Sequence, residues 1–293
     1  MSIEKQTIFK GVATALITPF YRGEIDYESL QNLIERQIDA DAGAILLAGT
    51  TGEGPTLSVR EHAELTSFAA RQIDGRLPLL VGCGSNSTSH ARELAEAVAE
   101  NGADALLAVT PYYNRTNDRG IVAHYHALAN ATKKPLILYN VPARTGFSMT
   151  LAHYRELAEH PNIVAVKEAS PDLSLLGSLC AECSSDLDVY TGNDHHTVLA
   201  MRLGATGVIS VYSNVDPRKM IELCRLCAGG DWKLAYTRQK QILAQMQALF
   251  WETNPIPVKH VLAGMGLCHA EYRLPLCAPG ADTARRLGEL FRL

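Results

Sequence analysis

A lysine at the end of a predicted buried strand is the residue in this sequence best placed to do chemistry. Residues 162–166 read Asn-Ile-Val-Ala-Val, an apolar and mostly β-branched run typical of a parallel strand, and Lys167 follows directly. Lysine is rarely fully buried, and desolvation favours its neutral amine, which is a nucleophile toward carbonyl carbon. Taken alone, the strand favours a plainer interpretation, in which the lysine reaches solvent or pairs with Glu168.

Polar residues also follow the other predicted strands. Gly49-Thr50-Thr51-Gly52-Glu53 comes after the run 43–48, and its glycines allow a tight turn whose backbone N–H groups suit a carboxylate. A simple capping turn explains the same residues.

One further strand ends in residues that suit an anionic carbonyl substrate. Tyr139 lies near the end of the run 135–140, and Arg144 follows in the next loop, where its planar guanidinium can bind a carboxylate. The combination of amine, tyrosine, threonines and arginine favours carbonyl chemistry. In this chemistry the amine forms an imine, a tyrosine moves protons and backbone N–H groups hold a carboxylate.

The elements that must position these residues recur regularly along the chain. Each of eight apolar runs is followed by an amphipathic stretch of helical length, and Asp26, the Ser58-x-x-Glu61 capping box, Ser170-Pro171 and Asp216-Pro217 are predicted helix starts. The predicted strands are 12–18, 43–48, 78–83, 104–109, 135–140, 162–167, 186–191 and 206–211. This alternation predicts an α/β fold, a (β/α)8 TIM barrel, whose active site lies at the carboxyl ends of the strands. An open doubly wound sheet is the structural alternative, but its third fingerprint glycine is missing after Gly82-x-Gly84.

The last quarter of the chain is predicted to be helical only. Gly229-Gly230 interrupts the eighth helix, and a long helix is expected from Asp231 to about Thr253. A turn at 254–257 and two more helices follow. We therefore predict a catalytic barrel over residues 1–228 and a C-terminal helical appendage over 229–293.

Composition excludes several classes of function. The 293 residues are 47% apolar and 20% charged, with a net charge of −4, which is typical of a globular protein and argues against nucleic acid as a partner. No signal peptide and no apolar run of roughly 18 residues is found, so we expect a cytoplasmic protein without a membrane partner. The seven cysteines include two C-x-x-C pairs, whose helical flanks argue against zinc, and no metal is required.

Three motifs together resemble a known family. Gly49-Thr50-Thr51-Gly52-Glu53, Tyr139-Asn140-Val141-Pro142-x-Arg144-Thr145-Gly146 and Val166-Lys167-Glu168-Ala169 stand in this order, and the likeness continues through 252–259 and 273–276. The chain resembles the dihydrodipicolinate synthase family, within the pyruvate-dependent class I aldolases that also include N-acetylneuraminate lyase. The resemblance implies condensation of pyruvate with L-aspartate 4-semialdehyde to 4-hydroxy-tetrahydrodipicolinate, in lysine and diaminopimelate biosynthesis.

The resemblance also implies the catalytic roles. Lys167 would carry the covalent imine with pyruvate, so that no separate cofactor is needed. Tyr139, Thr50 and Tyr113 would form a proton relay, with Tyr113 reaching in from a neighbouring subunit. This borrowed role implies a homo-oligomer, and the family is commonly a dimer of dimers.

The implied substrate-binding residues come from four strand ends. Thr51 would help to hold the pyruvate carboxylate, and Arg144 the carboxylate of the semialdehyde. The Ile209 carbonyl and Gly192 would line the pocket.

One region departs from the family pattern. Members that are inhibited by lysine bind it at a dimer interface, and Asn86, Tyr112 and His62 fit that allosteric site. His90 stands where an acidic residue is expected, and Val59 replaces a second histidine. Loss of the acid removes the partner of the inhibitor's amine, so we expect weak or absent feedback by lysine.

Three alternatives remain open from the sequence. The first is a pyruvate-dependent lyase of a 2-keto sugar acid, of the N-acetylneuraminate or keto-deoxy-gluconate type. The second is a phosphate-binding barrel isomerase, for which the loops at 191–193 and 210–212 are poor candidates. The third is a non-catalytic barrel that binds pyruvate.

Overall fold

Eight parallel strands form the centre of the molecule in the computed structural model, which describes residues 5–293. Each coincides with one of the eight predicted runs. They are β1 (Gly11–Ala15), β4 (Ala44–Leu47), β5 (Leu79–Gly82), β6 (Ala105–Val109), β7 (Leu136–Asn140), β8 (Ile163–Glu168), β9 (Asp188–Thr191) and β10 (Gly207–Ser210).

The eight strands close into a barrel in chain order, and β10 completes the circle by pairing with β1. The (β/α)8 prediction is therefore confirmed. The register places Lys167 between Tyr139 of β7 and Tyr190 of β9. Parallel strands aligned in this way bring their carboxyl ends to one rim, where the predicted site residues lie.

One small element was not predicted. Strands β2 (Phe20–Tyr21) and β3 (Glu24–Ile25) pair as an antiparallel hairpin between the first barrel strand and the first helix. Each strand has two residues, which is too short for an alternating hydrophobic pattern to be visible in the sequence.

Twelve helices occur in residues 5–293, most of them packed outside the barrel. They are α1 (Tyr27–Asp39), α2 (Val59–Ile73), α3 (Thr88–Glu100), α4 (Asp118–Ala129), α5 (Pro142–Thr145), α6 (Leu151–Ala158), α7 (Leu173–Glu182), α8 (Thr197–Arg202), α9 (Pro217–Ala228), α10 (Trp232–Ala248), α11 (Ile256–Gly264) and α12 (Ala281–Phe291).

The helix starts mostly follow the predicted capping residues. Ser58 and Glu61 form the capping box of α2, and Asp216 caps α9, so these predictions are confirmed. The predicted start at Ser170-Pro171 is wrong by two residues. Helix α7 begins at Leu173, because the Asp172 carboxylate accepts hydrogen bonds from the backbone N–H groups of Ser174 and Leu175.

Two apolar cores hold the fold together. The larger lies between the strands and the helices, and the smaller fills the barrel. At the amino end of the barrel, Tyr190 stacks on Phe9 with ring centroids 4.1 Å apart and donates a hydrogen bond to the Phe9 carbonyl.

After Ala228 the chain is helical only, in α10, α11 and α12, and α10 ends at Ala248, five residues before the expected end. The division into a barrel and an appendage at 228/229 stays a prediction. Within residues 5–293, none of the helices combines the length and apolar character that a bilayer span requires. In the same range, no three His, Cys, Asp or Glu side chains lie close enough to hold a metal ion.

Candidate active site

A cavity of about 610 Å³ opens at the carboxyl ends of the strands, and Lys167 lies on its wall. The Lys167 side chain is 6% exposed, and its Nζ lies 4.4 Å from the centre of the Tyr139 ring. Side chains alternate along a strand, so Ala165 and Lys167 face the barrel interior while Glu168 faces outward. The register next to Tyr139 therefore fixes where the amine sits.

Glu168 does not pair with Lys167. Its buried carboxylate accepts hydrogen bonds from the Asn140 amide at 2.9 and 3.0 Å, the Tyr154 hydroxyl at 2.8 Å and the Ser170 N–H at 2.7 Å. Burial and the Glu168 charge raise the pKa of Tyr154 well above its usual range, which keeps that hydroxyl a donor. The plainer alternative from the sequence, in which Lys167 pairs with Glu168, is thus wrong, and the lysine is left free to face the cavity.

The predicted carboxylate-binding turn, Gly49–Glu53, forms the adjacent wall. Thr50 and Thr51 both line the cavity. The turn is held on two sides, because Thr18 donates to the Gly52 carbonyl at 2.6 Å and the Asn254 amide donates to the Thr51 hydroxyl at 3.0 Å. A fixed turn of this kind can present backbone N–H groups without reorganising when a ligand arrives.

Arg144 lies on the rim of the same cavity. It belongs to the short helix α5, which Pro142 starts and Gly146 ends in the left-handed conformation. One guanidinium nitrogen donates to the Asn254 carbonyl at 3.0 Å, while the side chain as a whole stays exposed. Part of the guanidinium is therefore available for an anionic ligand.

Gly192 supplies the space that the Lys167 side chain occupies. A Cβ atom added at Gly192 would lie 2.9 Å from Lys167 Cε and 2.6 Å from the Ala169 Cβ.

Close by, the buried Asp194 carboxylate accepts hydrogen bonds from the N–H groups of Val211 and Tyr212 at 3.0 and 2.9 Å, and burial raises the pKa of Asp194. The ends of β9 and β10 are tied together by these bonds.

Two of the predicted site residues are not brought into the cavity within one chain. Ile209 is fully buried in the barrel interior, and Val211 lines the cavity in that sector. Tyr113 is 91% exposed and has a φ of 68°, an uncommon conformation for a tyrosine. Its side chain projects into solvent, not toward Lys167.

A second cavity, of about 140 Å³, lies beside the first, and Thr50 and Tyr139 line both. The predicted allosteric residues Tyr112, His62 and His90 line this smaller cavity. Burial lowers the pKa of His62, and the nearby His90 lowers it further.

Asn86, the fourth predicted allosteric residue, is not among the residues that line the smaller cavity; its carbonyl accepts a hydrogen bond from the Asn114 amide at 2.9 Å. His90 is exposed and contacts Glu93, with 3.2 Å between ring nitrogen and carboxylate oxygen.

Sequence reasoning missed the contribution of the C-terminal segment to this site. Residues Phe250, Trp251, Glu252, Thr253 and Asn254 line the larger cavity. Lys259 lies in the same part of the chain and is completely buried. A lysine within the apolar stretch Ile-Pro-Val-Lys-His-Val-Leu was a visible signal, because a buried charge requires a partner.

The arrangement places a buried amine, a tyrosine ring, a turn suited to a carboxylate and an arginine on one cavity. The amine can attack a ketone while the turn and the arginine bind carboxylates on either side. The site is thus suited to imine chemistry on small substrates that carry carboxylates.

The comparisons with known proteins agree with this geometry. A sequence model of the dihydrodipicolinate synthetase family matches residues 8–291. The 4-hydroxy-tetrahydrodipicolinate synthase of Geobacter metallireducens is 44% identical over 285 residues, which cover 97% of this chain and 98% of that protein.

Two crystal structures are similar throughout. The dihydrodipicolinate synthase of Acinetobacter baumannii in complex with pyruvate is 39% identical, with a TM-score of 0.95 and 98% of each chain covered. The enzyme of Cyanidioschyzon merolae with lysine bound is 36% identical, with a TM-score of 0.93 and 97% of each chain covered. The family model and the 44% identical relative both span nearly the full length, and the predicted resemblance is confirmed. The chain belongs to the dihydrodipicolinate synthetase family.

Proposed function

We propose that this protein condenses pyruvate with L-aspartate 4-semialdehyde to give 4-hydroxy-tetrahydrodipicolinate, as a carbon–carbon lyase of lysine and diaminopimelate biosynthesis. The observation that carries the proposal is the Lys167 amine, buried against the Tyr139 ring on a cavity that Thr50, Thr51 and Arg144 also line. The similarity to a synthase solved with pyruvate supports the choice of the first substrate.

The reaction begins at Lys167. The amine attacks the ketone carbon of pyruvate, and loss of one water gives the imine. Removal of a proton from the pyruvate methyl group gives the enamine, whose carbon attacks the aldehyde of the second substrate. The aldehyde oxygen takes up a proton as the carbon–carbon bond forms. The α-amine of the adduct then attacks the imine carbon, closes the ring and releases Lys167.

The other residues bind substrates and move protons. The Gly49–Glu53 turn, with Thr50 and Thr51, holds the pyruvate carboxylate, and Gly192 leaves room for the imine beside Lys167. Arg144 binds the carboxylate of the semialdehyde. Tyr139 and the Thr50 hydroxyl carry protons to and from the reacting atoms.

Tyr113 joins the relay from a second copy of the chain. In one chain its side chain is 91% exposed, so its proposed role requires a partner subunit whose cavity it enters. We therefore propose a homo-oligomer with at least two copies, arranged as a dimer of dimers. The protein works in the cytoplasm and uses the covalent imine in place of a cofactor.

Pyruvate consumption by the purified protein with L-aspartate 4-semialdehyde tests the proposal. We expect turnover with this acceptor and none with N-acetylneuraminate or a keto-deoxy sugar acid. The reason is that Arg144 is suited to bind a substrate carboxylate and not to recognise the hydroxyl groups of a sugar. Activity with a sugar acid and none with the semialdehyde would replace the synthase by a lyase. Pyruvate binding without turnover of any of these compounds would indicate a non-catalytic barrel.

A further inference from the structure

A fully buried ion pair joins the C-terminal segment to the back of the Gly49–Glu53 turn. The Lys259 ammonium contacts the Glu53 carboxylate, and both side chains are 0% exposed. The second carboxylate oxygen of Glu53 accepts a hydrogen bond from the backbone N–H of Arg273 at 3.2 Å. Glu53 itself has a φ of 54°, a left-handed conformation that is uncommon for glutamate. The end of the turn is thus held in an unusual backbone shape by contacts from the far end of the chain.

Within residues 5–293, Glu53 is the one carboxylate in ion-pair contact with Lys259. The Lys259 Nζ lies 4.2 Å from the centre of the Phe20 ring and 5.5 Å from that of Tyr272. Taking two charges out of water costs more than burying apolar residues of the same size, so a buried ion pair is weak evidence for a role in stability alone. A role in fixing one particular geometry accounts better for its presence.

The same segment contacts the turn at a second point. Five residues before Lys259, the Asn254 amide donates to the Thr51 hydroxyl at 3.0 Å. The C-terminal segment therefore contacts both Thr51 and Glu53, the residues on either side of Gly52. The two contacts set the position of the backbone between them, on which the proposed carboxylate site depends.

We propose that Glu53 and Lys259 are positioning residues for the pyruvate carboxylate, and that the C-terminal segment thereby sets the affinity of the active site for pyruvate. This inference rests on the proposed imine chemistry at Lys167. It assigns to the segment a part in catalysis, although neither side chain of the pair lines the cavity.

The test measures how much pyruvate is needed to form the imine. The variant protein carries Glu53→Gln and Lys259→Met together, so that no unpaired charge is left in the interior. Borohydride traps the imine, and mass spectrometry gives the fraction of protein labelled at each pyruvate concentration. A shift of the turn weakens a charge-assisted hydrogen bond from its backbone to the pyruvate carboxylate. We therefore expect the half-saturating pyruvate concentration to rise about tenfold, with the plateau of labelling nearly unchanged. In steady-state assays the KM for pyruvate should rise while the KM for the acceptor stays within a factor of about two.

A matched control separates positioning from simple destabilisation. Thr14 of β1 donates a buried hydrogen bond to Gln37 of α1 at 2.7 Å, and neither side chain lines the larger cavity. Thr14→Val should lower the melting temperature without changing the half-saturating pyruvate concentration. If the double variant does not fold, Glu53→Asp keeps the charges balanced but shortens the acidic side chain opposite Lys259, and it should give a smaller change in the same direction.

The outcomes are distinct. An unchanged half-saturating concentration in a folded variant would overturn the positioning role while leaving the proposed function intact. An equal rise in the Thr14→Val control would also overturn it, because the effect would then follow from stability. Absence of any labelling in the unaltered protein would overturn both proposals together.

Discussion

Replacement of Arg144 by leucine should weaken binding of the second substrate without affecting the first. Arg144 is exposed at the rim, and one of its guanidinium nitrogens already donates to the Asn254 carbonyl at 3.0 Å. A charge-assisted hydrogen bond contributes about 1.5–3 kcal/mol, and competition with water at an exposed site places Arg144 near the lower value. We therefore expect kcat/KM for L-aspartate 4-semialdehyde to fall about tenfold.

The assay follows pyruvate consumption over a range of semialdehyde concentrations, beside borohydride trapping of the pyruvate imine. Arg144→Lys serves as the matched control, since it keeps the charge but loses the planar fork, and its loss should be smaller. Labelling of Lys167 should be the same in all three proteins. A loss of labelling that parallels the loss of turnover would refute the assignment, because Arg144 would then act on pyruvate or on the whole site.

Three further predictions follow from other parts of the structure. Tyr113→Phe should lower turnover by at least about tenfold and leave imine trapping at Lys167 largely intact, which rapid-quench labelling can check; equal loss of both would remove Tyr113 from the relay. In the presence of millimolar L-lysine the enzyme should keep more than half of its activity, because His90 offers no negative charge to the amine of the inhibitor. Half-inhibition at a lysine concentration of about 1 mM or lower would contradict this. Burial lowers the pKa of His124 to about 4, and its buried Nε2 has no hydrogen-bond partner among residues 5–293, so the neutral form is favoured in the fold. The contribution of His124 to the free energy of unfolding is therefore highest above pH 6.5, and it decreases by up to about 3 kcal/mol as the pH falls toward 4. Urea unfolding curves should lose this pH dependence in His124→Phe.

The central part of the site could be predicted because it depends on strand ends. The period of two along β8 puts Lys167 on the interior face, and parallel register carries Tyr139 beside it. Both facts follow from local sequence pattern once the barrel is recognised. Arg144 and the threonine turn follow in the same way, since short loops after barrel strands have little choice of position.

Other features depend on contacts between distant parts of the chain and leave little local signal. Asn254 meets Thr51 across 203 residues, and Lys259 meets Glu53 across 206 residues. The apolar stretch around Lys259 indicates that this lysine requires a partner, a signal that the sequence analysis missed, and no local pattern tells which carboxylate the lysine meets. The outward direction of Glu168 also escaped prediction, because adjacency in sequence suggested a pair that the alternation of a strand forbids.

Tyr113 marks a different limit. Its role was implied by the family resemblance, as a residue that enters from a neighbouring subunit, and a single chain leaves its side chain in solvent. A role that is completed by a second copy is invisible to an argument from one chain's strand ends. The Tyr113 variant therefore tests the proposed relay, and the oligomer stays a proposal.

The formation of an imine between pyruvate and Lys167 is the central claim, and borohydride trapping followed by peptide mapping tests it most directly. The purified protein is incubated with pyruvate and borohydride, digested and examined by mass spectrometry, beside Lys167→Ala. The account predicts one reduced pyruvate adduct, on the peptide that contains Lys167, and none in the variant. An adduct on another lysine, or no adduct at all, would contradict it.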